Sequence, residues 1–146
     1  MEAMNVNYPG HIDGAKVPLI VLPTSKGIVV IPVQEIIRIQ SISNYSKLFF
    51  NNGKSLVVAK VLHLFEDHPQ LSSFVRIHRK HLVNINYIKT FHDNKTAVLL
   101  LNNDEMITVA RRKKRSIAER LNNRNHSFSI ESANASPFNT KKTLAA

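Results

Sequence analysis

From Lys26 onward the chain breaks into short apolar runs of three to six residues, separated by turn-forming residues. That close, regular spacing leaves little room for long helices and is the pattern of small antiparallel sheets. Strands are expected over Gly27 to Ile31, Ile36 to Gln40, Tyr45 to Phe50, Ser55 to Val57, Val75 to Ile77, Leu82 to Asn84, Ile88 to His92, Thr96 to Leu101 and Met106 to Val109. Asn51-Asn52-Gly53, Asp93-Asn94-Lys95 and Asn102-Asn103-Asp104 supply residues that tolerate positive φ, so three of the connections read as hairpins.

Two segments depart from the β pattern. Over Val58 to Asp67 the residues Val58, Val61, Leu62 and Phe65 share one helical face, and Pro69 stops the helix, which should cover one face of a sheet. Over Arg112 to Leu121 the shared face is Lys114, Ile117, Ala118 and Leu121, with only three apolar members, which predicts a short, weakly docked helix. Residues 1–22, punctuated by Pro9, Gly10, Gly14 and Pro18, read as a weakly structured arm or one added strand. Residues 123–146, rich in Ser and Asn, read as a flexible polar tail. One mostly β domain over residues 23–122 is therefore expected.

A chain of 146 residues, 43% of them hydrophobic, can bury one ordinary core. Twenty Lys and Arg against ten Asp and Glu give a net charge of +10, which points to an anionic partner and says nothing about fold. Nucleic acid leads. A membrane is not expected, because no run approaches the ~18 apolar residues of a spanning helix. With no cysteine there is neither a disulfide nor a thiolate metal site. The start, Met1-Glu2-Ala3-Met4-Asn5, lacks the basic and apolar regions of a secretory signal, so a cytoplasmic location is expected.

The cations are not spread evenly. Five of the six residues from Arg76 to His81 are basic or imidazole side chains, set between apolar flanks that run from Phe74 and on to Ile88. In an extended chain Val75, Ile77, Val83, Ile85 and Tyr87 fall on one face, and Arg76, His78 and Lys80 on the other. A second cluster, Arg111-Arg112-Lys113-Lys114-Arg115, stands at the start of a helix. The macrodipole disfavours cations there by a few tenths to ~1 kcal/mol each, so something anionic should compensate, and a phosphate would suit. A solvated charge run is the plain alternative.

Other chemistry finds little support. His78 and His81 lie three apart in a strand or loop, where their side chains should diverge, and no Cys or further His pair completes a metal site. No phosphate loop, nucleophile elbow or carboxylate pair is present, so no catalytic residue, cofactor or enzymatic activity is expected. Asn84 and Asn86 read as satisfying backbone groups at a strand end, and Tyr45 as a packing residue. Lys47 is evenly balanced between a contact and a solvated lysine.

The order of these features resembles the LytTR DNA-binding domain of bacterial transcriptional regulators. The likeness is carried by an apolar strand, Tyr45-Ser46-Lys47-Leu48, a helix, the run Phe74-Val75-Arg76-Ile77-His78-Arg79-Lys80-His81-Leu82-Val83-Asn84-Ile85-Asn86-Tyr87-Ile88, then Val109-Ala110-Arg111-Arg112, over about residues 22–122. The resemblance implies an elongated stack of small antiparallel sheets with one or two short helices. It implies loops that enter successive major grooves of double-stranded DNA, with two molecules on paired direct repeats. Carried over by position, the base-contacting residues would be Ser46, Lys47, His78, Arg79 and Arg111, with Arg79 and Arg111 suited to bidentate contact with guanine. Arg76, Lys80, Arg112, Lys113, Lys114 and Arg115 would hold phosphates, although Arg76 in a strand could pair with an acid instead. Lys80 and Ala110 stand where Ser is common in the family.

The chain shows no receiver or membrane module, so its input is expected from a separate signalling protein, the arm or the tail. The competing reading is a protein-interaction module or antagonist that keeps the fold without specific DNA binding. Non-specific nucleic-acid binding has less behind it, because the aromatic residues sit at core-like positions and offer no stacking platform.

Overall fold

The computed structural model describes residues 17–127. Within them β1 (Leu19–Thr24) and β2 (Gly27–Pro32) form a two-stranded hairpin. A central sheet of order β5-β4-β3-β7-β6 joins β3 (Ile36–Ile42), β4 (Tyr45–Phe50), β5 (Ser55–Val58), β6 (Phe74–His78) and β7 (His81–Asn84). The third sheet, of order β10-β9-β8, is made of β8 (Ile88–Asp93), β9 (Ala97–Leu101) and β10 (Met106–Thr108). Two α-helices, α1 (Leu62–Glu66) and α2 (Lys114–Ser127), complete the mostly β fold.

The inner strands of the central sheet are apolar on both faces, so each face takes a cover. Ile36, Ile39, Leu48, Phe74 and Leu82 pack on Ile20, Leu22 and Ile31 of the hairpin and on Leu62 and Phe65 of α1. Ile37, Val75, Ile77 and Val83 pack on Leu99, Leu101, Ile107 and Ile117 from the third sheet and α2. Ile36 and its neighbour Ile37 serve opposite cores by strand alternation, and the irregularity in the β3–β4 register between Ile36 and Arg38 accompanies the placing of Ile36 and Ile39, three apart, in the same core. Each such side chain, fully buried, stabilises the fold by ~1.5–3 kcal/mol relative to exposure.

Arg38 lies inside this stack, 8% exposed. Its Nε and Nη2 donate to the two carboxylate oxygens of Glu105, at 2.8 and 3.1 Å, and Nη1 donates to Gln40 Oε1 at 3.0 Å. The guanidinium also lies 3.8 Å from the centre of the Phe49 ring. Glu105 follows the β9–β10 turn, so the pair ties the third sheet to the central one.

The nine strands expected after Lys26 are all present, with ends shifted by two residues at most. Gly53 takes φ 87° in the β4–β5 hairpin and Asp104 takes φ 70° in the β9–β10 turn, the conformations that Gly and Asn/Asp clusters accommodate. Ser43 takes φ 56° in the β3–β4 turn. Asn84 behaves as a strand-end residue: its amide donates to the Ile36 carbonyl and its oxygen accepts the Asn86 N–H.

The helices differ from expectation. The segment expected to be helical from Val58 to Asp67 has Val58 as the last residue of β5, and the helix holds only Leu62–Glu66. Val57 pairs with Lys47 and Val58 with Ser46, so sheet pairing prevails over helical periodicity, and Val61 is 40% exposed instead of buried. The helix expected over Arg112 to Leu121 instead spans Lys114–Ser127 after a 3-10 turn at Arg111–Lys113. It is docked by more than its thin apolar face: Arg120 donates to the Ser72 carbonyl at 3.1 Å and Arg124 to the Ile85 carbonyl. The added strand proposed for the N-terminal region is β1, with Ile20 and Leu22 in the core, so the arm cannot extend to residue 22. The helix likewise carries the fold past residue 122 to Ser127. The rest of the arm and tail lies outside the described residues.

Glu105→Gln tests the Arg38 pin. The Arg38 hydrogen bonds hold the Glu105 carboxyl below its ordinary range, against the opposing pull of burial. A lowered folded pKa gives stability that is full above the ordinary carboxylate pKa and is lost as pH falls through the folded value. Glu105→Gln should therefore cost about 1–2 kcal/mol at pH 7, discounted for the solvent that reaches Glu105, and the gap from wild type should narrow in denaturant titrations as pH falls below the ordinary carboxylate range.

Candidate nucleic-acid interface

Antiparallel pairing sets the register of the basic residues. Lys47 of β4 pairs with Gln40 of β3, Gln40 with His81 of β7, and His81 with His78 of β6. These four positions make one row across the sheet, and Lys47 and His78 stand three strand spacings apart, about 14 Å. At the same end the β3–β4 turn, the β6–β7 turn and the chain leaving β10 come together. The Ser41 N–H donates to the Lys80 carbonyl at 2.9 Å, and the Ala110 N–H to the Ile77 carbonyl at 2.8 Å. All three expected reading segments are thus joined by main-chain hydrogen bonds into one edge.

The side chains divide into two groups. Arg79, Lys80, Arg111 and Arg112 are exposed and Lys113 is half-buried, and among the described residues none of them forms an ion pair. Lys47 is half-buried, its ammonium 5.2 Å from the Phe49 ring. His78 is half-buried, and its Nδ1 accepts the Lys80 N–H at 3.1 Å, which leaves the neutral ring's proton on Nε2, a donor. Arg115 keeps a 3.6 Å pair with Glu119 in which both side chains are solvent-exposed, an arrangement worth little.

Three expected contacts are corrected. Ser46 is fully buried: strand alternation turns it away from Lys47, and its hydroxyl donates to the Lys60 carbonyl at 2.6 Å, so it has no surface to offer a base. Arg76 is not on the outer surface but bound to Glu66 Oε1 at 2.6 Å and to the carbonyls of His78 and Arg79. Lys114 lies 2.7 Å from Asp93, the last residue of β8. Asp93 is therefore an anion beside the start of α2, the role for which a phosphate had been argued.

Tyr45, read as packing, is 49% exposed where β4 leaves the edge. Its place directly after the polar link Ser41 to Asn44 is the signal that could have shown this. His78 and His81 do not diverge: the tight turn pairs them, and their ring centres lie 5.6 Å apart. Among the described residues no cluster of three His, Asp or Glu could hold a metal.

His81 lines a cleft of about 380 Å³ with Arg38, His78, Glu105 and Met106 to Thr108. Its Nδ1 is buried with no hydrogen-bond partner among the described residues. Burial lowers its pKa to about 4, helped by the cations Arg38 and Lys80 and by His78, and only Glu105 opposes the shift. The ring is therefore neutral at pH 7, and the row beside Gln40 carries no charge at that point.

Residues 26–122 match the family model for the LytTr DNA-binding domain, and the chain belongs to that family, which is a family of DNA-binding domains and not of enzymes. Among solved structures it is similar to the LytTr DNA-binding domain of a Bacillus cereus protein described as a methyl-accepting/DNA response regulator. That likeness has 23% identity and a TM-score of 0.61, and covers 73% of this chain and 98% of that one, which bears on the fold. No curated protein matches the chain. No helix among the described residues is long and apolar enough to cross a membrane.

The His81 environment gives a pH test. A histidine whose folded pKa is depressed contributes stability that is complete above the unfolded value near 6.5 and lost as pH falls toward 4. Between those limits wild type should lose up to about 2 kcal/mol that His81→Gln does not lose, after discounting for the part of the ring in water. Thermal melts of both proteins from pH 7 to pH 4 check it: parallel curves would refute the assignment.

Proposed function

We propose that the chain is a sequence-specific transcriptional regulator that reads double-stranded DNA through the edge formed by the β3–β4 turn, the β6–β7 turn and the segment entering α2. The observation that carries this reading is the pair of main-chain bonds, Ser41 to Lys80 and Ala110 to Ile77, that aligns three cation-bearing segments. The ~14 Å from Lys47 to His78 is comparable with the ~12 Å width of one major groove. The next groove on the same side of the duplex lies about 34 Å along, which suits two molecules on paired direct repeats reading successive turns.

Roles follow from exposure and chemistry. Arg79 and Arg111 are exposed forks suited to guanine O6 and N7, while Lys47 and the Nε2 proton of His78 supply further donors to base edges. Lys80, Arg112, Lys113 and Arg115 are assigned to phosphates, where they set register without reading sequence.

Selection of bound duplexes from a random library tests specificity, repeat spacing and stoichiometry together. On the selected site Arg79→Ala and Arg111→Ala should each cost ~1–3 kcal/mol and relax preference at particular bases. Lys113→Ala should weaken binding to every sequence and lower the salt slope by ~1. A library that yields no preferred site would favour the interaction-module reading.

A further inference from the structure

The basic run contains one cation that does not face outward. Arg76 has an 18% exposed side chain, and three of its guanidinium nitrogens are engaged in three directions. Nη1 meets Glu66 Oε1 at 2.6 Å, Nε donates to the His78 carbonyl at 2.9 Å, and Nη2 donates to the Arg79 carbonyl at 2.7 Å. The next carbonyl, that of Lys80, accepts from Ser41. Three successive main-chain carbonyls at the tip are thus held by the protein, while the side chains of Arg79 and Lys80 are left at the surface. A turn fixed in this way loses less conformational freedom when its side chains dock.

The anchor of this clamp is itself fixed. Glu66 is the last residue of α1, and Leu62 and Phe65 of the same helix are sunk in the first core at 3% and 0% exposure. The helix cannot turn without lifting Phe65 out, so the core determines where the Glu66 carboxylate stands and therefore where Arg76 holds the loop.

We propose that Arg76 is a positioning residue for base reading: anchored on Glu66, it holds the His78 and Arg79 carbonyls and so aims Arg79, without touching DNA itself. The proposal rests on the DNA-reading function given above. Guanidinium is needed because a planar fork reaches acceptors in several directions at once, whereas a lysine ammonium is a compact charge on a flexible stem.

Arg76→Lys keeps the charge and removes the fork. Measured on the preferred duplex and on versions with single base changes, it should lose about tenfold of the discrimination at bases read by Arg79, with the salt slope unchanged. Glu66→Gln, which keeps the guanidinium and weakens its anchor, should shift discrimination the same way by a smaller factor, so the result does not depend on one variant folding. Amide exchange at Arg79 and Lys80 should quicken in both. If Arg76 instead held a phosphate, Arg76→Lys would keep its discrimination and Glu66→Gln would tighten every duplex alike, and that result overturns the positioning role. A wild-type chain with no preference among duplexes would remove the reading function and this proposal with it, whereas a selective wild type with an equally selective Arg76→Lys would remove the proposal alone.

Discussion

A five-stranded sheet with apolar residues on both faces cannot stand alone in water, and most of this structure answers that constraint. Ile36, Ile39 and Leu82 need one cover, and Ile37, Val75, Ile77 and Val83 need another. The β1–β2 hairpin with α1 supplies the first, and the third sheet with α2 the second. Among the described residues the arrangement leaves one charged residue, Arg38, buried inside the stack. Its charge is tolerable there because Glu105 accepts two hydrogen bonds, Gln40 a third, and the Phe49 face lies against the guanidinium. Because Glu105 stands in the connection from β9 to β10, immediately before Met106, satisfying that charge also fixes how the two sheets meet.

Sheet geometry then determines the candidate interface. In an antiparallel sheet alternate turns fall at the same end, so the β3–β4 and β6–β7 turns share an edge. The segment after β10 is brought to that edge by covering the second face, and the Ala110 N–H closes on the Ile77 carbonyl. Lys47 and His78, 31 positions apart in sequence, end up in one cross-strand row. Core, register and interface are in this sense one construction: a one-residue slip in β7 would turn Leu82 out of the core and break the row together.

The strands were legible because their signal is local: apolar runs of the right length bounded by Asn, Asp and Gly. What was not legible depended on partners distant in sequence. Val58 belongs to a helical pattern until Val57 and Val58 are paired with Lys47 and Ser46, and only the sheet supplies that pairing. Pro9, Gly10, Gly14 and Pro18 suggest a weakly structured arm to residue 22, yet β1 begins at Leu19, directly after Pro18, because the pairing with β2 is supplied by residues beyond the arm. The length of α2 was missed because it is docked partly by Arg120 and Arg124 on main-chain carbonyls, a contact that leaves no hydrophobic pattern. The same distinction runs through the site. The sequence placed the basic clusters, but whether a given cation is used inward or left outward was decided by Glu66 for Arg76 and by Asp93 for Lys114.

That division has an electrostatic consequence. The chain has ten acidic residues against twenty Lys and Arg, and three of the acids are spent on structural cations: Glu66 on Arg76, Asp93 on Lys114 and Glu105 on Arg38. Each neutralises a charge that belongs to the fold and leaves alone the charges that belong to the edge. Arg79, Lys80, Arg111 and Arg112 have no such partner among the described residues, so their charges stay available to an anionic ligand such as DNA. Neutral His81 among these cations fits the same logic, since another positive charge beside Arg38 and Lys80 would add repulsion within the sheet without reaching the surface. The acids that hold the fold together are thereby paired inward, and none of the three neutralises a cation of this edge.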